Sequence, residues 1–285
     1  MRSRSEAFFH QLPDSAPHGQ RYAVWHQPGV APSALVVYVH PFAEEMNKAR
    51  RMAALQSRAL ADVGVAVLQL DLHGCGDSSG DFGDATWLSW VADVRAACTL
   101  ARQLHDREWL GAPCPPLWLW GLRAGSLLAC AAGQGMAEPV NFLFWQPSTS
   151  GKTVLQQFLR LKVAATLGQA DSRGVLAQVK EDLAAQRHVD IAGYRLAPAV
   201  AKGLEQAMLE PHGLPGRVIW LETSTRAEPS LLPASVAAVA RWQSAGWQVQ
   251  EQAIAGPAFW STVEVEDAPN LLAATTQLVQ TAGTR

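Results

Sequence analysis

Arg123 stands at the centre of Gly121-Leu122-Arg123-Ala124-Gly125, directly after the apolar run Leu117-Trp118-Leu119-Trp120. Glycines in this pattern permit a sharp turn from strand to helix that exposes the central side chain. In a G-x-S-x-G motif that side chain is a nucleophilic serine. An arginine cannot take over that task, because the guanidinium stays protonated and offers no lone pair. Its chemistry is electrostatic. At the first turn of a helix, beside unpaired backbone N–H groups, a guanidinium matches a carboxylate or phosphate as a two-pronged donor. Two fates follow for Arg123. It binds an anionic or acyl small molecule, with Phe42, Ala43 and Ala124 beside it and Trp145 and Trp260 as aromatic walls. Or it closes an internal ion pair with Glu44 or Glu45, since a buried arginine without a partner is strongly destabilising.

The other groups able to do chemistry are few. Serine-type catalysis in this arrangement needs an acid and then a histidine downstream of the nucleophile. Glu222 and Glu228 are candidates for the acid. No histidine follows residue 212, and the segment where the general base should stand reads Gly256-Pro-Ala-Phe259-Trp260. Water activation would then fall to His40, Glu44, Glu45 or His73, with Arg123 stabilising an oxyanion. Cys75, two residues past His73, and Ser126, three past Arg123, are weaker substitutes, because nucleophile and base must lie within hydrogen-bond reach. A metal at His40 and His73 would need a further ligand such as Glu44 or Asp71, and no spaced cluster is visible. No cofactor is implied. Asn47 and Lys48 could line the same cavity, although lysine is more often solvated.

The elements that must position these groups alternate. Glu6–Leu12 and Arg21–Gln27 are expected to open the fold as an antiparallel pair. Apolar runs at Ala34–His40, Val65–Leu72, Leu117–Trp120 and Val140–Trp145 read as strands, the first of them buried on both faces. Helices are expected at Ala43–Val63, Thr86–Leu104 and Ala124–Ala132. From 148 to 210 the signals are helical with no strong strand, as in a cap inserted over a pocket. The sheet then resumes at Arg217–Leu221 and Trp247–Ile254, with helices at Ala234–Ser244 and Asp267–Thr281. The expectation is an α/β protein with a mostly parallel sheet, its core formed by 1–147 and 211–285. Trp118 and Trp120 are expected in the core, and Trp145, Trp220 and Trp260 at the carboxyl ends of strands, where such folds keep their pocket.

Three segments fall in the order found in α/β-hydrolases: His40-Pro41-Phe42 at the oxyanion loop, Asp71-Leu-His73-Gly-Cys75-Gly-Asp77-Ser78 as a D-x-x-G-x-G-x-S loop, and the Gly121–Gly125 turn. More specifically, the chain resembles the second type of hydrolase associated with exosortase A systems. The resemblance rests on His40-Pro-Phe-Ala-Glu-Glu-Met-Asn-Lys48, Trp120-Gly-Leu-Arg-Ala-Gly125, Trp145-Gln-Pro147 with Ser150-Gly-Lys152, Ile191-Ala-Gly-Tyr194 and Phe259-Trp260. It implies an α/β-hydrolase fold, an arginine at position 123 as part of the family pattern, and a place in an exopolysaccharide pathway, with a protein of that pathway as partner. It implies no demonstrated reaction.

Composition sets the outer limits. A chain of 285 residues, 48% apolar and 17% charged, with a net charge of −2, is an ordinary globular protein with no electrostatic case for nucleic acid. The basic start Met1-Arg2-Ser3-Arg4 is not followed by a signal-length apolar run, and no stretch reaches the length of a membrane span. A cytoplasmic location is expected. Cys75, Cys98, Cys114 and Cys130 show no C-x-x-C spacing and read as buried or semi-buried free thiols.

Overall fold

The computed structural model describes residues 2–11, 19–165 and 172–283. Elements run in the order β1 (Arg4–Gln11), β2 (Gln20–Gln27), β3 (Ala34–Val39), α1 (Glu44–Asp62), β4 (Val65–Leu70), α2 (Trp87–Glu108), β5 (Leu117–Leu122), α3 (Ala124–Gly133) and β6 (Asn141–Trp145). An inserted segment follows, with α4 (Gly151–Ala164), α5 (Ser172–Ala184), β7 (Val189–Ile191), β8 (Tyr194–Leu196) and α6 (Pro198–Gln206). β9 (Arg217–Ser224), α7 (Pro233–Ser244), β10 (Gln248–Ala255) and α8 (Pro269–Gly283) complete the chain.

The main sheet has eight strands in the order β1-β2-β4-β3-β5-β6-β9-β10. β1 and β2 pair antiparallel, β2 meets β4 antiparallel, and from β4 onward every pair is parallel. Strand parity assigns side chains to two cores. Leu35, Val37, Leu119, Phe142, Phe144 and Trp220 face α2, α3 and α7, while Val36, Tyr38, Trp118, Trp120, Leu143 and Trp145 face α1 and α8. Continuous apolar strands thus serve both layers, which is why they read as unbroken runs.

The inserted segment is pinned at its base: Gly151 N–H donates to Ala207 O at 2.9 Å, and Leu209 N–H donates to Thr149 O at 3.1 Å. Besides helices it holds a short antiparallel hairpin, β7 with β8, where the sequence showed helical signals alone. Three-residue strands are too short to display a period. Elsewhere the differences lie at element ends. The central strand runs on to Leu122 and α2 to Glu108, whereas Val65's strand stops at Leu70 and that of Ala34 at Val39. Leu12 lies outside the described residues. Cys75, Cys98 and Cys130 are buried, but Cys114 is exposed, because it sits in the loop ahead of β5 rather than on an element facing a core. Among the described residues no helix is long and apolar enough to cross a membrane.

Candidate functional site

Arg123 is the one residue between β5 and α3, with φ 55° and ψ −122°. That region is unfavourable for any residue with a Cβ, so surrounding contacts must hold it. They do. Arg123 N–H donates to Trp145 O at 3.0 Å, and Arg123 O accepts from Ser126 N–H at 3.1 Å and Ser148 N–H at 3.2 Å. The flanking glycines are sterically obligatory. A Cβ on Gly121 would fall 2.4 Å from Ser126 Cα, and one on Gly125 would fall 2.2 Å from Val39 O. The turn is therefore a complete nucleophile elbow in backbone terms, with α3 pressed against the end of β3.

The side chain on it is held from three sides. Arg123 Nε donates to Glu45 Oε1 at 3.2 Å, and Nη2 donates to Gln157 Oε1 at 3.2 Å. Its guanidinium carbon lies 5.6 Å from the ring centroid of Trp260, a cation–π distance. Of the two carboxylates expected to compete for Arg123, Glu45 holds it. Both side chains are mostly shielded, at 19% exposed for Arg123 and 17% for Glu45. Burial raises the Glu45 carboxyl above its ordinary value, and the charge of Arg123 pulls it only part of the way back. Burial also raises Glu44, whose Oε2 is shielded and has no hydrogen-bond partner among the described residues. Gln157, from α4, escaped the sequence reading, since a single glutamine on an amphipathic helix carries no distinguishing pattern.

Beside the elbow the expected pocket is nearly filled. A cavity of about 20 Å³ remains, bordered by Phe42, Ala43, Ala124, Gly125, Cys75 and Trp90, among others. Phe42 meets Phe158 edge-on with centroids 5.0 Å apart, and Phe82 at 5.5 Å. Phe82 in turn meets Tyr194 at 5.1 Å, so α4 and β8 of the inserted segment close over this cluster. One water needs roughly 10–15 Å³, so the space suits a solvent molecule and not an acyl chain.

Of the remaining residues singled out by sequence, His40 and Cys75 border this small cavity, and Ser126 lies within α3. His40 is buried and neutral in tendency: burial lowers its pKa, Nδ1 donates to Pro41 O at 2.8 Å, and Nε2 accepts from Leu72 N–H at 3.4 Å. His73 is likewise lowered by burial, and its ring packs against Gly80. Both ring nitrogens of His40 are thus engaged by backbone groups. The Cys75 thiol is pushed up by burial, which disfavours the thiolate a nucleophile needs. Ser126 is fully buried and donates to Gly121 O at 3.0 Å. Among the described residues no three His, Cys, Asp or Glu side chains gather as a metal would require.

At the acid position, Glu222 is buried and accepts from Trp220 Nε1 and from Leu232 N–H, both at 2.9 Å, while Glu228 is exposed in the following loop. Trp145 and Trp220 are not pocket walls. β6 parity turns Trp145 toward α8, where its Nε1 donates to Thr275 Oγ1 at 2.9 Å, and β9 parity turns Trp220 against Phe144. The Trp260 ring meets the Arg123 guanidinium, from the loop after β10 where a general-base histidine would stand, whereas Trp145 touches Arg123 through its backbone oxygen. Asn47 Nδ2 donates to Tyr194 Oη at 3.2 Å, and Lys48 Nζ donates to Ser261 O at 3.5 Å. Lys48 is partly exposed and reaches from α1 to the β10 loop.

The sequence profile of the serine aminopeptidase S33 hydrolases matches residues 30–204, which carry the oxyanion-type loop, the elbow and most of the inserted segment. The chain belongs to that family. Its fold is the α/β-hydrolase fold of the S33 family, and solved structures agree over nearly its whole length. Est1E from Butyrivibrio proteoclasticus, solved with ferulic acid bound, superposes with a TM-score of 0.70 at 16% identity, covering 98% of this chain and 100% of that one. A thermostable carboxyl esterase from Bacillus coagulans gives 0.60 at 12% identity, with 99% of each chain covered. The serine hydrolase XC6422 from Xanthomonas campestris, described as lacking a lid, gives 0.53 at 15% identity over 98% of this chain and 94% of that one. At these identities the likeness is one of S33-type fold. No curated protein matches the chain.

Proposed function

We propose that this chain is a non-hydrolytic member of its family, with a degenerate triad, that works by binding in a cytoplasmic exopolysaccharide or exosortase pathway. The observation that carries this reading is the closed contact set around Arg123. A protonated group occupies the nucleophile position, Glu45 and Gln157 engage it, and a tryptophan stands where the base should be. Triad members act as a unit, so loss of nucleophile and base together removes serine-type turnover. The nearly filled cavity supports the same conclusion, since no acyl group fits beside Ala124 and Gly125. Binding remains open to Arg123. Its Nη1 has no partner among the described residues, so an anionic small molecule, or an acidic side chain of a pathway protein, would meet it from the exposed side.

A second reading is favoured by one observation. Glu44 and Glu45 are carboxylates raised by burial beside a fixed guanidinium at a helix N-terminus, a setting that suits a general base with an oxyanion stabiliser. This would be an unorthodox ester or thioester hydrolase or acyl-transfer enzyme. The two readings separate in one experiment: purified protein assayed on short and long acyl esters and acyl thioesters, beside Arg123→Ala and Glu45→Gln. The expected result is no turnover above the variants. Turnover that disappears in both variants overturns the binding-only reading and establishes the second.

A further inference from the structure

A different region of the molecule carries uncommitted donors. α1 packs mainly on β4 and α8 and more sparsely on β2, so the sheet surface of β1 and β2 on that side is incompletely covered. Between them lies a cavity of about 310 Å³. Arg50, Ala54 and Arg58 line it from α1 at a four-residue spacing, one stripe spanning about 12 Å along the helix. Tyr22 and His26 line it from β2, and Tyr38 from β3.

One wall is fixed by a closed relay of hydrogen bonds. Ser5 Oγ donates to His26 Nδ1 at 2.7 Å, His26 Nε2 donates to Gln69 Oε1 at 3.4 Å, and Gln69 Nε2 donates to Ser57 Oγ at 3.0 Å. Ser57 Oγ then donates to Ala53 O at 2.8 Å. Burial holds the His26 pKa down to about 4, so the ring is neutral at pH 7 and this proton order is stable. The Arg50 charge is matched, since Nη2 donates to Asp71 Oδ2 at 2.8 Å. What remains is the guanidinium of Arg58 and the hydroxyls of Tyr22 and Tyr38, which have no hydrogen-bond partner among the described residues. Tyr38 is buried, and burial pushes its hydroxyl pKa up, so it stays a donor. Donors that face solvent on a preformed concave surface are a binding feature, since they can exchange water for the acceptors of a ligand.

We infer that this cavity is a binding site for a small hydroxylated carboxylic acid, a sugar acid in chemical class, with its carboxylate at Arg58 and its hydroxyls at Tyr22 and Tyr38. The net lining charge is a single positive one, which one carboxylate neutralises and a phosphate dianion would overshoot. Neither Arg123 nor Glu45 borders the cavity. The site therefore goes beyond the elbow reading and stands whether or not the elbow is catalytic.

The test is isothermal titration calorimetry of the full chain with glucuronate, glucose and glucose 6-phosphate. Saturable glucuronate binding with Kd below about 1 mM is expected, with glucose and glucose 6-phosphate at least about tenfold weaker. Arg58→Gln, at an exposed position, and Tyr38→Phe should each weaken glucuronate about tenfold or more. Absence of binding to the wild-type chain overturns the inference. So does binding unchanged by Arg58→Gln, or tighter binding of glucose 6-phosphate. Binding lost in Arg123→Ala but kept in Arg58→Gln would place the acid at the elbow and also overturn it.

Discussion

Two turns in this protein share one backbone shape and carry opposite chemistry. After β3 the chain enters α1 through Ala43, at φ 50° and ψ −123°; after β5 it enters α3 through Arg123, at φ 55° and ψ −122°. Both place a non-glycine residue where glycine would be relaxed. At Ala43 the side chain is a methyl group in a packed aromatic wall, and only the geometry matters. At Arg123 the same geometry projects a charge toward Glu45, which lies two residues past Ala43 at the start of α1. The two turns are thus joined through one ion pair. The comparison teaches that one strained turn geometry serves as a packed joint at both places, while the group displayed at Arg123 also connects two helix starts through Glu45.

The largest test of that joint is steric. Gly125→Val places a Cβ at 2.2 Å from Val39 O and 2.7 Å from His40 O, in the segment that leads to the Ala43 turn. Backbone cannot yield as a flexible side chain would, so α3 must move away from β3. A loss of about 3 kcal/mol or more in urea unfolding is expected. A loss under about 1 kcal/mol would show that the two turns are not pressed together, and would break the comparison at its base.

How much of this was readable in the residues differs between backbone and side chains. The elbow was legible because glycine spacing and an apolar run are local signals, and β3, β5, β6 and β9 because buried parallel strands are unbroken apolar runs. Trp145 was misplaced for the same reason. A strand apolar on both faces has no polar alternation to say which way a given residue points. The partnership of Arg123 with Glu44 or Glu45 was half legible. A carboxylate pair stood in the loop facing the elbow, but only the pitch of the first helical turn decides which one arrives. Gln157 and the cavity under α1 were not legible, since one depends on how the inserted segment folds back and the other on a gap between elements.

A smaller effect separates the two turns by charge. Arg123→Gly relaxes the backbone but leaves Glu45 without its cation and strips the contact with Trp260. Breaking a shielded pair from one side is destabilising, and the partial exposure of both groups moderates it. A net loss of about 1–2 kcal/mol is expected at pH 7. The loss should depend on pH in a defined sense. Glu45 already titrates above its ordinary value in the folded protein, so the folded state holds the proton more tightly than the unfolded one, and stability falls as pH rises through that interval. Removing Arg123 raises the folded value further and widens the interval. The variant should therefore approach wild type near pH 4.5 and diverge from it toward pH 8. A gap constant across that range would mean that Glu45 does not sense Arg123.

The smallest effect has the opposite sign, and it is the sharpest use of the comparison. Ala43→Gly relieves the same strained φ and ψ and removes only a buried methyl group. Strain of this kind is worth about 1–3 kcal/mol, and the added freedom of glycine in the unfolded chain returns about 0.5–1 of it. A stabilisation of about 1 kcal/mol is expected, read as a rise in the urea midpoint with an unchanged slope. One substitution type at two turns of equal backbone shape should thus move stability in two directions, because at Ala43 the residue contributes little beyond its conformation and at Arg123 it contributes a charge. If both variants lose stability, the strain at Ala43 is smaller than the packing of its methyl group against the aromatic cluster. If both gain, the pair of Arg123 with Glu45 is not what holds the elbow side chain in place.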